Sequence, residues 1–291
     1  MTPAQRILVP TVLALLGLVP SPSFAQAQVS IGFDADRAMV GKGAVEVTVT
    51  SSGDSLNDGM RLPFAEVSEG DRKVATMTDE NGASENPMAS VRIVELDSTN
   101  ETPEVVFNSF SGGAHCCAGI KVALKGTSGS WRQIDIGSFD GSGDFVEDVD
   151  GDGRSEFVTV DNAFLYTFDS YVGSFAPLKM LAVDRGELKD VTREERFQSR
   201  HRSWLEEQTK AAREGSAETA AGFLVGRLAM RQLLGEGPAA MGEFEAAAKA
   251  AQVGPVDACP DLSLECEDSA KKPQPFIAVV KEFMEKNGYA F

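Results

Sequence analysis

The chain has 291 residues, with 27 Lys and Arg against 44 Asp and Glu, a formal net charge of −17. Hydrophobic residues make up 42% and charged residues 24%, which are the proportions of a globular protein rather than a disordered one. So acidic a chain without a basic face argues against nucleic-acid binding and against docking on an anionic membrane surface, and favours cation binding or plain solubility.

Met1 to Ala27 reads as an export signal. It carries one charge, Arg6, followed by an apolar run from Ile7 to Val19 that is too short to span a bilayer comfortably. Ser23 with Ala25, or Ala25 with Ala27, supplies the small-residue cleavage pattern. The mature chain is then expected to start near Gln26 or Gln28, to lack a membrane span, and to lie in the periplasm or outside the cell.

Residues 28–192 read as a β domain. Val45 to Thr50 alternates with period two, and Val91–Val94, Glu104–Phe107, Ile120–Leu124, Trp131–Ile136, Glu156–Val160 and Leu178–Val183 are further β-rich runs. Turn chemistry separates them at Lys125–Ser130, Phe139–Gly143 and Asp184–Gly186. The segment 51–87, rich in Gly, Ser, Asn and Asp, is expected to include a mobile loop. Residues 193–291 read as a helical domain. Phe197, His201, Trp204 and Gln208 share a face, and His201 is read as an interhelical packing residue. Ser216 is the expected cap of a helix bearing Ala221, Leu224, Val225 and Leu228. Pro238 opens a third helix with Met241, Phe244 and Ala248, and Phe276, Val279, Val280 and Phe283 face a fourth. Residues 257–275 are expected to form a loop. The fold class is therefore α+β: an antiparallel meander of hairpins, propeller-like in its repetition, then helices.

The sharpest chemical signal is Asp148-Val-Asp150-Gly-Asp152-Gly-Arg154-Ser-Glu156. Carboxylates at positions 1, 3, 5 and 9 of a tight loop repel one another unless a cation sits among them, and hard cations want several oxygen ligands. The backbone carbonyl of Arg154 can add another oxygen. Position 12 is Thr159 and the following residues are strand-like, so the loop is not an EF-hand. It resembles the calcium loop of FG-GAP or VCBS-type repeats found in calcium-binding β-propellers, a resemblance that implies calcium as the cofactor. A weaker copy, Val94 to Phe107, lies 52 residues earlier, with Glu104 matching Glu156. It keeps Glu95 and Asp97 but has Thr99 and Asn100 later, so it is expected to hold its turn by hydrogen bonds.

The four cysteines all follow the export signal, which suggests disulfides. Cys259 and Cys266 are spaced for a small closed loop. Cys116 and Cys117 lie in Ser111-Gly-Gly-Ala-His115-Cys-Cys-Ala-Gly119, a stretch similar to one in uncharacterised exported bacterial proteins. That stretch admits a Cys/His nucleophilic site, a soft-metal site using His115 and Cys117, or a vicinal disulfide in a glycine-rich turn; the last is the favoured reading. An aromatic run from Phe164 to Phe175 would fill a β core or, where exposed, form a carbohydrate or peptide platform. No nucleophile elbow, phosphate loop or zinc-protease motif is present. The leading functional expectation is a non-enzymatic, calcium-stabilised binding or structural module of the bacterial envelope whose partner is an envelope protein or a glycan. The rival is an envelope hydrolase or thiol-redox enzyme using the Cys116/Cys117 segment.

Overall fold

The computed structural model describes residues 27–32, 35–52, 59–113, 116–141 and 145–290. Residues 1–26 of the expected export signal Met1–Ala27, His115 and the side chain of Cys116 lie outside the described residues.

Three antiparallel meanders follow one another in the chain. The first is β2 (Arg37–Lys42), β3 (Val45–Ser51), β4 (Pro63–Glu69) and β5 (Arg72–Thr78). The second is β6 (Met88–Val94), β7 (Glu104–Phe110), β8 (Cys116–Lys125) and β9 (Trp131–Asp140), with β1 (Ala27–Ile31) added beside β6. The third is β10 (Val146–Glu147), β11 (Glu156–Val160), β12 (Leu178–Asp184) and β13 (Glu187–Asp190). Four helices come next: α1 (Gln198–Glu214), α2 (Ala221–Leu233), α3 (Gly237–Ala250) and α4 (Phe276–Lys286). A small hairpin of β14 (Val256–Ala258) and β15 (Lys272–Gln274) precedes α4. The α+β reading holds.

Strand patterning explains the layering. In β3, Val45, Val47 and Val49 are buried while Glu46 is exposed, the mark of a sheet with one face in water. In β7, Val105 and Phe107 pack toward the first sheet, and Val106 packs the other way with Ile120, Val122, Leu124, Phe157 and Val183. Both faces of the middle sheet are thus covered, which is why Glu104–Phe107 reads as an unbroken run. In β12, Leu181 and Val183 face the middle sheet, whereas Leu178 and Met180 face Phe197 and Val191. The layers run sheet, sheet, sheet, helices.

Several expectations are corrected. β4 and β5 occupy much of 51–87; their apolar residues Phe64, Ala65, Val67 and Met77 are diluted by turn-forming neighbours, which masks the strand period. Residues 53–58 of that segment lie outside the described residues. The loop 257–275 contains a hairpin, not only irregular chain. Ser216 does not cap α2. It takes a left-handed φ of 58° at the end of α1, where Ala217 N–H reaches back to Ala212 O at 2.8 Å, and Ala220 precedes α2. The aromatic run forms no strand; two 3-10 turns carry it, and Phe164 and Phe175 are buried in the helical core, with Phe164 edge-on to Phe283 at 5.0 Å. His201 packs between α1 and the link after β13: it is fully buried, with Nε2 2.7 Å from Thr192 O.

Candidate metal centre

β10 and β11 pair with Glu147 opposite Glu156, so residues 148–155 form a hairpin loop at one end of the third sheet. Gly151 and Gly153, at φ 75° and 90°, allow the chain to wind tightly there. Each carboxylate also helps to wind it. Asp148 Oδ2 accepts Gly153 N–H at 3.1 Å, Asp150 Oδ1 accepts Asp152 N–H at 3.1 Å, and Glu156 Oε2 accepts Val149 N–H at 3.1 Å. The result brings carboxylate oxygens of Asp148, Asp150 and Glu156 within 4.8 Å of one another. Asp152 is drawn aside: its Oδ1 accepts Arg154 N–H at 2.8 Å and its Oδ2 accepts Arg154 Nε–H at 3.0 Å.

The loop does not stand alone. Arg196, on the 3-10 turn Glu195–Phe197 that leads into α1, reaches into it. Its Nη1 lies 2.6 Å from Asp150 Oδ2, 3.5 Å from Glu156 Oε1 and 3.9 Å from Asp152 Oδ2. The guanidinium rests over the Phe197 ring, 4.5 Å from its centroid. One turn on, Arg200 Nε approaches Glu147 Oε2 at 3.6 Å. Burial pushes the Glu156 carboxyl up to about 7, with the Asp150 charge adding to the rise while Val149 N–H and Arg196 oppose it. For Asp152, burial is outweighed by the hydrogen bonds from Arg154, and its carboxyl sits below the usual range. The donor set, all carboxylate and carbonyl oxygen, suits a hard divalent cation.

The weaker copy has the same frame with different chemistry. β6 and β7 are the first two strands of their meander as β10 and β11 are of theirs, so the 52-residue spacing places Glu104 and Glu156 at equivalent strand starts. Both are buried, and both accept a backbone N–H from seven residues earlier: Asp97 N–H to Glu104 at 3.2 Å, Val149 N–H to Glu156 at 3.1 Å. Leu96 and Ser98 stand where Asp148 and Asp150 would be. Hydrogen bonds hold this turn: Leu96 N–H to Glu104 Oε2 at 2.7 Å, Thr99 N–H to Asp97 Oδ1 at 3.1 Å and Thr102 N–H to Asn100 Oδ1 at 2.8 Å. The two loops touch through Ser155 N–H to Glu95 O at 2.8 Å.

Burial pushes the Glu104 carboxyl up to about 7, against the Leu96 N–H, which favours the anion. Between its ordinary value of 4.5 and about 7, the folded chain holds this proton more tightly than the unfolded chain. Stability from this group is therefore full below pH 4.5 and is lost as pH rises to about 7, an effect of about 3 kcal/mol. Glu104→Gln is expected to flatten that decline. Urea midpoints measured from pH 4.5 to 8 with a chelator present check it; parallel curves for the two proteins would contradict it.

Cys259 and Cys266 form a disulfide with Cα atoms 6.1 Å apart. It closes a loop that Leu262 N–H to Cys259 O and Cys259 N–H to Ser263 O already tighten. Cys117 is also disulfide-bonded, and Ser111 Oγ accepts its N–H at 2.8 Å. The sequence gives no hint of Arg196 as a member of the acidic centre: it comes from 40 residues beyond Glu156, and only the packing of α1 on the third sheet brings it there.

Among the described residues, no helix is long and apolar enough to cross a membrane. A family model described as the sll0997 C-terminal domain matches residues 199–288, which take in α2 to α4 and all of α1 but its first residue. The chain is 36% identical over 200 residues to the probable thylakoid lumen protein sll0997 of Synechocystis sp., a match covering 68% of this chain and 59% of that protein. It is 33% identical over 212 residues to the uncharacterized protein y4bJ of Sinorhizobium fredii, covering 70% of this chain and 33% of that one. The chain thus matches less than two thirds of the length of either relative. No solved structure matches it. The helical part of this chain is therefore similar to the sll0997 C-terminal domain.

Proposed function

We propose that this chain is an exported, calcium-stabilised binding or structural module of the cell envelope, periplasmic or secreted, with a β part over residues 28–192 and a helical part over 193–291. The observation that carries the reading is the convergence of Asp148, Asp150 and Glu156 at the joint between the third sheet and α1. A calcium ion there takes those three carboxylates and the Arg154 carbonyl, and Asp152 when it turns from the Arg154 side chain. The likeness of the loop to FG-GAP repeats, the Cys259–Cys266 disulfide and the lumenal relative support the assignment of cofactor and compartment. The envelope partner is a protein or a glycan. Calorimetric titration of the mature chain is expected to show one calcium site, weak or absent binding of magnesium, and loss of calcium binding in Asp148→Asn/Asp150→Asn. Equal heats for the variant and the parent would contradict it.

The thiol-redox alternative rests on the bonded state of Cys117. A vicinal Cys116–Cys117 disulfide with a structural role is our reading, with His115 beside it. Mass analysis of the non-alkylated protein is expected to find a deficit of about two daltons in the peptide carrying both residues. Full alkylation of both thiols without reductant would rule the bond out. Reversible reduction tied to a cellular phenotype in Cys116→Ser/Cys117→Ser would favour the redox role.

A further inference from the structure

Three large hydrophobic side chains stand out in water among the described residues, and two of them, Tyr166 at 59% exposure and Val172 at 80%, lie in one loop. Tyr166 is also in the left-handed region at φ 60°, a backbone conformation that costs an L-residue about 1–2 kcal/mol. An exposed ring recovers little of that cost by burial, so the strain calls for another explanation. The loop is held firmly in this shape. Tyr166 N–H donates to Ser174 Oγ at 3.1 Å, and Ser174 Oγ donates to Ser170 O at 2.9 Å. Beneath it α2 packs backbone on backbone: a Cβ on Gly222 would come within 2.7 Å of Gly173 O, and one on Gly226 within 1.8 Å of Phe175 O.

The Tyr166 and Tyr171 rings lie 5.5 Å apart at 39°, and Tyr171 donates its hydroxyl to Asp140 Oδ2 at 2.6 Å. We propose that Tyr166, Tyr171, Asp140 and Val172 form a docking site for an arginine side chain presented by a partner protein. The chemistry selects that occupant. A planar guanidinium stacks on a tyrosine face and donates to a carboxylate in one pose, while its aliphatic stem lies along a valine. A lysine has no plane to stack. A net charge of −17 draws a basic segment and repels polyanions. This site goes beyond the calcium reading and does not depend on it.

The test uses the full mature chain with labelled tyrosine rings. There are three tyrosines, and Tyr289, which is buried, serves as an internal control. The probes are a capped Val-Arg peptide, its neutral citrulline counterpart and a trimer of N-acetylglucosamine. The arginine peptide is expected to shift the Tyr166 and Tyr171 signals saturably and leave Tyr289 unmoved. The citrulline peptide should bind roughly tenfold more weakly, and Asp140→Asn should weaken the arginine peptide by a similar factor. Val172→Ser, on the exposed rim, should weaken it without altering the melting temperature. Equal responses to arginine and citrulline would overturn the proposal. So would a response of the pair to the sugar trimer alone, which would make the loop a saccharide platform.

Discussion

Chelating calcium is expected to lower the melting temperature of the mature chain by roughly 5–10 °C. A loop site with a dissociation constant of about 10 μM, held at 1 mM calcium, adds about 2.7 kcal/mol to the folded state. The proposed ligands sit between β10 and β11, where Asp150 pairs with Arg196 ahead of α1, while Glu147 of β10 pairs with Arg200 within α1. Calcium bound there takes over from Arg196 the carboxylates of Asp150 and Glu156, so the stabilisation falls on the hairpin loop itself. Asp150→Ala should abolish the calcium dependence and, in chelator, should cost less than it does with calcium present. Thermal unfolding of parent and variant, each with calcium or chelator, checks this. A melting temperature indifferent to chelator in the parent would contradict it. Magnesium should replace calcium poorly, because it prefers small octahedral sites and keeps its waters.

Phe197→Ala is expected to destabilise the chain by about 3–5 kcal/mol. The ring is fully buried between β12, Val191 and the start of α1, with Leu178 and Met180 as its floor. Removing it leaves a cavity that the sheet cannot collapse to fill, and it withdraws the surface on which the Arg196 guanidinium rests. The loss should appear in urea unfolding with and without calcium alike, since none of the carboxylates is touched. A loss below about 1 kcal/mol would mean that the helical part is anchored elsewhere.

Much of this architecture is legible in the residues. Strands such as Glu156–Val160 and helix faces such as Phe276, Val279, Val280 and Phe283 are visible because one periodicity dominates their windows. β4 and β5 are hidden because turn-forming residues surround them, and β10 is too short to show any period. Of the acidic centre, Asp148, Asp150 and Glu156 follow from local spacing. The turning of Asp152 toward Arg154 and the entry of Arg196 do not, since both depend on where long charged side chains find partners in space. The aromatic run shows the limit from the other side. Its composition suggests burial, yet only the fold decides that Phe164 and Phe175 go into the helical core while Tyr166 faces water.

A crystal structure of the mature chain grown with calcium tests the central claim most directly. The account predicts an ion about 2.3–2.6 Å from carboxylate oxygens of Asp148, Asp150 and Glu156, with the Arg196 guanidinium withdrawn from Asp150 and Glu156. An Arg196 still paired to both carboxylates at saturating calcium, with no ion between Asp148 and Glu156, would contradict it and make the arginine the permanent counter-charge of the loop.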